Sequence, residues 1–154
     1  MIPATAMREM SGLEFINGLR DGSVPPPPIF TLMNMELLEV SSGRAVIKCE
    51  PDESHYNPLG TVHGGFACTI LDSAAGCAVH TTLPAGMGYT SLEIKVSYLR
   101  GLSTTTGPLT ATGRVIKPGK RVAFAEAELT DGEGRVVATA SSTLLVFPIP
   151  GAST

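Results

Sequence analysis

A single carboxylate, Asp72, interrupts an apolar, small-residue run from Val62 to Val79. An ionised carboxylate in such surroundings is costly unless it is paired, protonated or functional. No basic residue lies within a helical turn of it in the sequence. As an anion it could attack an acyl carbon or take a proton from a water. The second candidate is His63-Gly64-Gly65, at the start of the same run. Backbone N–H groups at a helix start are unpaired and, with the helix dipole, favour negative charge. An ester or thioester carbonyl that gains charge under attack would be stabilised there, as in an oxyanion hole. Each feature also has a plain structural reading: glycines that let a helix pack tightly, and a carboxylate held by hydroxyls and backbone.

Asp72 lies nine positions after His63, roughly 13 Å along a helix axis and about half a turn around it. The two cannot meet on one helix. Either they have separate roles, or a two-fold dimer brings each Asp72 to the partner's helix start. Asn57, in the loop before His63, has an amide that could hold a water or a carboxylate, or could simply form a turn before Pro58. Thr90 and Ser91 open a strand, and either hydroxyl could position a water; alternation places them on opposite faces. His63 reads better as a loop-orienting group than as a base. His55 and His80 have no identifiable partner. Cys68 and Cys77 read as small core residues. Arg100, Arg114, Lys117, Lys120 and Arg121 recur at strand ends and one hairpin, either as solvated termini or as a basic cluster for a polyanionic ligand. There is no zinc spacing and no nucleotide-type phosphate loop, so no metal or cofactor is expected.

These residues need elements to hold them. The 154-residue chain, 43% hydrophobic and 16% charged, suits one globular domain. A net charge of −3 argues against nucleic-acid binding. No apolar run is long enough to span a bilayer, and the N-terminus lacks a secretory pattern. Three cysteines without metal spacing fit reduced thiols, hence a cytoplasmic location.

The chain divides into an N-terminal helix and Pro-rich connector (1–28), a main domain (29–148) and a tail (149–154). The spacing of Met10, Leu13, Ile16 and Leu19 predicts one helix over 5–20. Pro25–Pro28 reads as an extended connector that cannot be helical. Strands are expected at 29–40, 44–49, 91–99, 109–117, 121–130 and 136–147, with a long helix over 62–82. In the strand after the helix, Leu92, Ile94, Val96 and Tyr98 fall on one face and Ser91, Glu93, Lys95 and Ser97 on the other. Short turns make the last strands antiparallel. The long helix, apolar almost all round, should be enclosed. The fold class is α+β, a curved antiparallel sheet wrapped around one central helix.

The sequence resembles the hotdog-fold acyl-CoA thioesterases, in particular the phenylacetate-degradation (PaaI-like) branch. The resemblance runs from about Phe30 to Phe147. It rests on Asn57-Pro58-Leu59-Gly60-Thr61-Val62-His63-Gly64-Gly65, Leu71-Asp72, the stretch Thr90 to Arg100, and Gly119-Lys120-Arg121-Val122-Ala123. Arg100-Gly101 stands where Arg-Pro is frequent. The resemblance implies hydrolysis of an acyl-CoA to a carboxylic acid and free coenzyme A, coenzyme A being part of the substrate and not a cofactor. It implies that the Gly64 N–H polarises the carbonyl, with Asp72 of the partner subunit as nucleophile or general base. Asn57 and His63 would support the helix start, and Ser91 or Thr90 would orient the water. Gly65, Arg100, Lys117, Lys120 and Arg121 would contact the substrate. A homodimer or homotetramer is implied, joined along the strand around Leu92–Leu99. The rival functions are a non-catalytic acyl-CoA sensor of the same fold and a hotdog hydratase or dehydratase.

Overall fold

A computed structural model describes residues 4–151; residues 1–3 and 152–154, the outer ends of the two terminal segments, lie outside it. Six antiparallel strands form one sheet in the order β1-β2-β4-β5-β6-β3. These are β1 (Met35–Ser41), β2 (Arg44–Cys49), β3 (Met87–Tyr98), β4 (Leu109–Lys117), β5 (Val122–Thr130) and β6 (Val136–Pro148). Helix α4 (Gly64–His80) lies against the sheet, as expected for a sheet wrapped around a central helix. Ile70, Leu71, Ala74, Ala78 and Val79 of α4 are buried against Ile47, Leu109, Leu129 and Leu144 of the strands. The small residues of α4 allow a close approach. A Cβ on Gly113 of β4 would sit 2.1 Å from the Ala74 carbonyl oxygen, so any side chain there would push sheet and helix apart.

Two expectations near the N-terminus are corrected. The helix expected over 5–20 is two helices, α1 (Ala4–Glu9) and α2 (Gly12–Asp21). The break falls at Ser11, whose hydroxyl accepts from the Glu14 N–H while the Glu14 carboxylate accepts from the Ser11 N–H (2.8 Å). That reciprocal cap starts a new helix where residue spacing alone shows one. The strand expected over 29–40 begins only at Met35. Pro28–Leu32 forms a one-turn helix, α3, with Pro28 at its first position. The missing N–H of proline costs nothing there, so the proline run ends in a helix start and is not extended throughout.

Helix α4 is less enclosed than its composition implies. Along one stripe, Gly65 is exposed and Cys68, Thr69, Asp72 and Ser73 are only half-buried. At its far end, Thr81 and Thr82 hydroxyls donate to the Ala78 and Val79 carbonyls (2.6 and 2.7 Å) and close the helix before Pro84.

Strand β3 is one of the two edges of the sheet, the other being β1, and it pairs only with β6. Its alternation is broken by a bulge. Ser91 pairs with Leu144 and Glu93 with Thr143, which leaves Leu92 as the extra residue. Ser91 therefore points to the helix, together with Ile94 and Val96, and not to the outer face that strict alternation assigns it. Leu92 is 56% exposed. No helix among the described residues is long and apolar enough to cross a membrane.

Candidate active site

Asp72 accepts a hydrogen bond from the Ser91 hydroxyl, 2.7 Å away. Ser91 reaches it because of the β3 bulge, whereas Thr90 is exposed beside it. No ion pair among the described residues involves Asp72. The neighbouring hydroxyls on the stripe are turned inward, Thr69 to the Gly65 carbonyl and Ser73 to the Thr69 carbonyl (2.9 Å each). Asp72 is thus the one side chain of the stripe that offers a charge.

The helix start is built around His63. Its Nδ1 accepts from the Gly65 N–H (2.8 Å), and its carbonyl accepts from the Phe66 N–H (2.9 Å). His63 therefore caps the helix, and its ring proton, when neutral, sits on Nε2. The Gly65 amide is occupied. The Gly64 N–H has no hydrogen-bond partner among the described residues. Tyr98, which sequence reasoning passed over as one of an alternating set, donates its hydroxyl to the Gly64 carbonyl (2.9 Å) and fixes that peptide from the other side.

Beneath the cap, His55 accepts from the Asp52 N–H and stacks on Phe66, and its carbonyl receives the His63 N–H (2.8 Å). Asn57 is occupied within its own turn. Its Oδ1 accepts from the Leu59 N–H (2.9 Å) and its Nδ2 donates to Thr61 Oγ1 (2.9 Å). Its contribution is to shape the loop that presents His63 and Gly64.

Asp72 and Gly64 line different cavities. One of about 290 Å³ is bounded by His63, Gly64, Tyr98 and Arg100. The other, about 440 Å³, is bounded by Asp72, Ser73, Ser91, Tyr89 and His80 with apolar side chains of α2 and α3. They share no lining residue.

The model of the thioesterase superfamily matches residues 59–138, a span that includes His63, Gly64, Asp72 and Ser91. The chain belongs to the thioesterase superfamily. It is 30% identical over 112 residues to a provisionally named esterase of Saccharolobus solfataricus, covering 73% of this chain and 78% of that one. It is 26% identical over 113 residues to human acyl-coenzyme A thioesterase 13, covering 73% and 79%. The PaaI protein of the Escherichia coli phenylacetic acid degradation operon superposes with a TM-score of 0.77 at 19% identity, over 95% of this chain and 100% of that one, a likeness of fold. The hotdog architecture of the superfamily is thus present here.

Among the described residues, Asp72 is the only acidic or basic residue bounding its cavity besides His80. Burial pushes the Cys77 thiol up to about 12, with the Asp72 charge adding to it, and burial also raises Cys68 and Tyr89. The cysteines are thiols and poor nucleophiles at neutral pH. His80, 4% exposed, is pushed down to about 4 by burial. Its neutral form is favoured by folding, so the unfolded chain binds the proton more tightly. Stability is therefore complete above pH 6.5 and falls as pH drops from 6.5 towards 4, by up to about 3 kcal/mol. Urea midpoints measured across that window should fall less steeply in His80→Phe, which keeps the ring against Phe15; equal slopes would refute the assignment.

The basic residues do not form one patch within a chain. Arg100 lines the Gly64 cavity, whereas Lys120 lines an apolar recess with Thr82, Leu83 and Pro84 beyond the opposite end of α4. Lys117 and Arg121 flank Lys120 in the β4–β5 hairpin. None of the four makes an ion pair among the described residues.

Proposed function

We propose that this protein is an acyl-CoA thioesterase that works as a two-fold dimer, with Asp72 of one subunit acting on a carbonyl held by Gly64 of the other. One observation carries the reading: the anion without an ion-pair partner and the amide without a hydrogen-bond partner among the described residues lie on one α4 helix, in cavities with no shared lining residue. They are eight positions apart, about 12 Å along the axis, too far for one carbonyl to touch both. An isologous dimer in which β3 edges meet would supply each cavity with its missing half. The free edge of β3 and the exposure of Leu92, Tyr98 and Leu99 (56, 56 and 54%) support that contact.

In the general-base form, a water gives its proton to Asp72 and its oxygen adds to the thioester carbon. The carbonyl oxygen, now negative, is stabilised by the Gly64 N–H. Collapse expels the coenzyme A thiolate, which recovers the proton, and leaves the carboxylic acid. In the nucleophilic form, Asp72 itself adds to the carbonyl, coenzyme A leaves, and water opens the resulting anhydride. Both forms require the anion and use Ser91 to orient it. Arg100, Lys117, Lys120 and Arg121 are free to meet coenzyme A phosphates. No metal or cofactor enters either form.

A hydratase would need a His–acid pair. His80 shares the Asp72 cavity but lies two turns away, its ring between Phe15 and Tyr89 (5.2 and 5.5 Å). The direct test follows free thiol release from a panel of acyl-CoAs. Steady multi-turnover release is expected; binding of acyl-CoA with no thiol released would overturn hydrolysis in favour of a sensor.

A further inference from the structure

The superfamily match begins at residue 59, yet seven of the fourteen residues around the Asp72 cavity precede it. They come from α1, α2, α3 and the proline-rich segment between them. Helix α2 is seated directly on the end of α4. The Gly12 N–H donates to the Leu83 carbonyl (2.9 Å), and a Cβ on Gly12 would lie 1.7 Å from the His80 carbonyl oxygen. Only glycine permits that approach, and the Ser11–Glu14 cap fixes where the helix begins. Phe15, Ile16 and Phe30 are 4, 2 and 7% exposed and belong to the same core as α4. These helices are therefore a built wall of the cavity.

The character of that wall identifies which part of a substrate it meets. Among the described residues no lysine or arginine lines the cavity, and Asp72 is the one carboxylate on its wall. Phosphates are unwelcome there, and the acyl group is the part of an acyl-CoA that matches apolar walls. At about 440 Å³ the cavity falls in the lower half of the roughly 300–1,000 Å³ typical of small-molecule sites. Phe15 and His80 both line it, their rings 5.2 Å apart, and His80 lies eight positions beyond Asp72, about 12 Å along α4.

We propose that α2 and α3 form the wall that sets the longest acyl group Asp72 can serve, with Leu19 and Ile29 as the residues that fix the limit. The proposal rests on the thioesterase reading and adds a substrate class to it: compact acyl groups, medium-chain or single-ring, in preference to long fatty chains. Leu19 is half-buried and Ile29 is 40% exposed, so both can be trimmed without hollowing the core.

The test measures kcat/KM along a series of straight-chain acyl-CoAs for the full chain, Leu19→Ala and Ile29→Ala. Beyond the limit each added methylene should cost the wild type about tenfold or more. Leu19→Ala removes three carbons and should move the limit up by about two to three carbons; Ile29→Ala should move it the same way. The readout is the ratio between long and short chains, so a general loss of activity cancels. A limit unchanged in both variants, with melting temperatures like the wild type, overturns the proposal. A parallel calorimetric series with non-hydrolysable S-alkyl-CoA thioethers separates it from the reading beneath it. If no acyl-CoA releases thiol, hydrolysis falls, and the chain-length profile of thioether binding in the variants still decides the role of the wall.

Discussion

Asp72→Asn is expected to lower kcat for acyl-CoA by about 10²–10⁴-fold while leaving the melting temperature near that of the wild type. The substitution keeps the shape of the side chain and an oxygen that accepts from Ser91, now at 2.7 Å. It removes only the charge, which both forms of the mechanism need. No cation is paired with Asp72 among the described residues, so no partner charge is left stranded by the change. A carboxylate that merely braced the α4–β3 contact would give the opposite pattern, a lower melting temperature with turnover largely kept. Thiol release and thermal unfolding on the same preparation separate the two, and turnover at the wild-type rate would end the catalytic assignment.

Gly64→Pro should lower kcat by about 10²–10³-fold, because it deletes the amide proposed to hold the oxyanion. Proline is well suited to a first helical position, and His63 before it is already extended (φ −63°, ψ 136°). The tight point is Tyr98, whose ring and hydroxyl lie 3.2–3.4 Å from where a Cβ would stand. That side chain is 56% exposed on an edge strand and has room to yield, which thermal unfolding checks. The two inactive variants then test each other. Mixed and refolded together, Asp72→Asn and Gly64→Pro subunits place both intact groups in one of the two sites of each mixed dimer. Roughly a quarter of wild-type activity should return on random pairing. No recovery, with mixed dimers shown to form, would place the chemistry within one subunit.

Much of the fold could be read in the chain because its signals are local. The six-strand and long-helix order follows from turns such as Pro118-Gly119 and from the apolar run ending at Pro84, and β2, β4 and α4 lie where periodicity expects them. The segment before β1 departs from the sequence expectation for a physical reason. Its elements are one to three turns long, and their limits are set by a cap at Ser11 and by proline at the start of α3, not by hydrophobic spacing. The site was legible as residue types in a pattern: a lone acid in an apolar helix and a glycine pair at its start. Residue types alone do not tell which amide stays free, since that depends on the His63 ring taking the Gly65 N–H; only the family resemblance pointed to Gly64. The wall from α2 was not legible either, since nothing in residues 12–19 marks them as neighbours of Asp72. Tyr98 could have been found from its place opposite the helix start once β3 was recognised as the strand after α4.

Seven positions separate Ser91, which holds Asp72, from Tyr98, which holds the peptide of Gly64. An odd interval on a regular strand sends two side chains in opposite directions. The supernumerary Leu92 restores parity, so that one strand can grip α4 at both of its working points. The strand is in effect a two-clamp ruler whose calibration is a single residue. Inserting one more residue between Glu93 and Tyr98 would release one clamp or the other, because with the single bulge at Leu92 no phase of the strand then satisfies both.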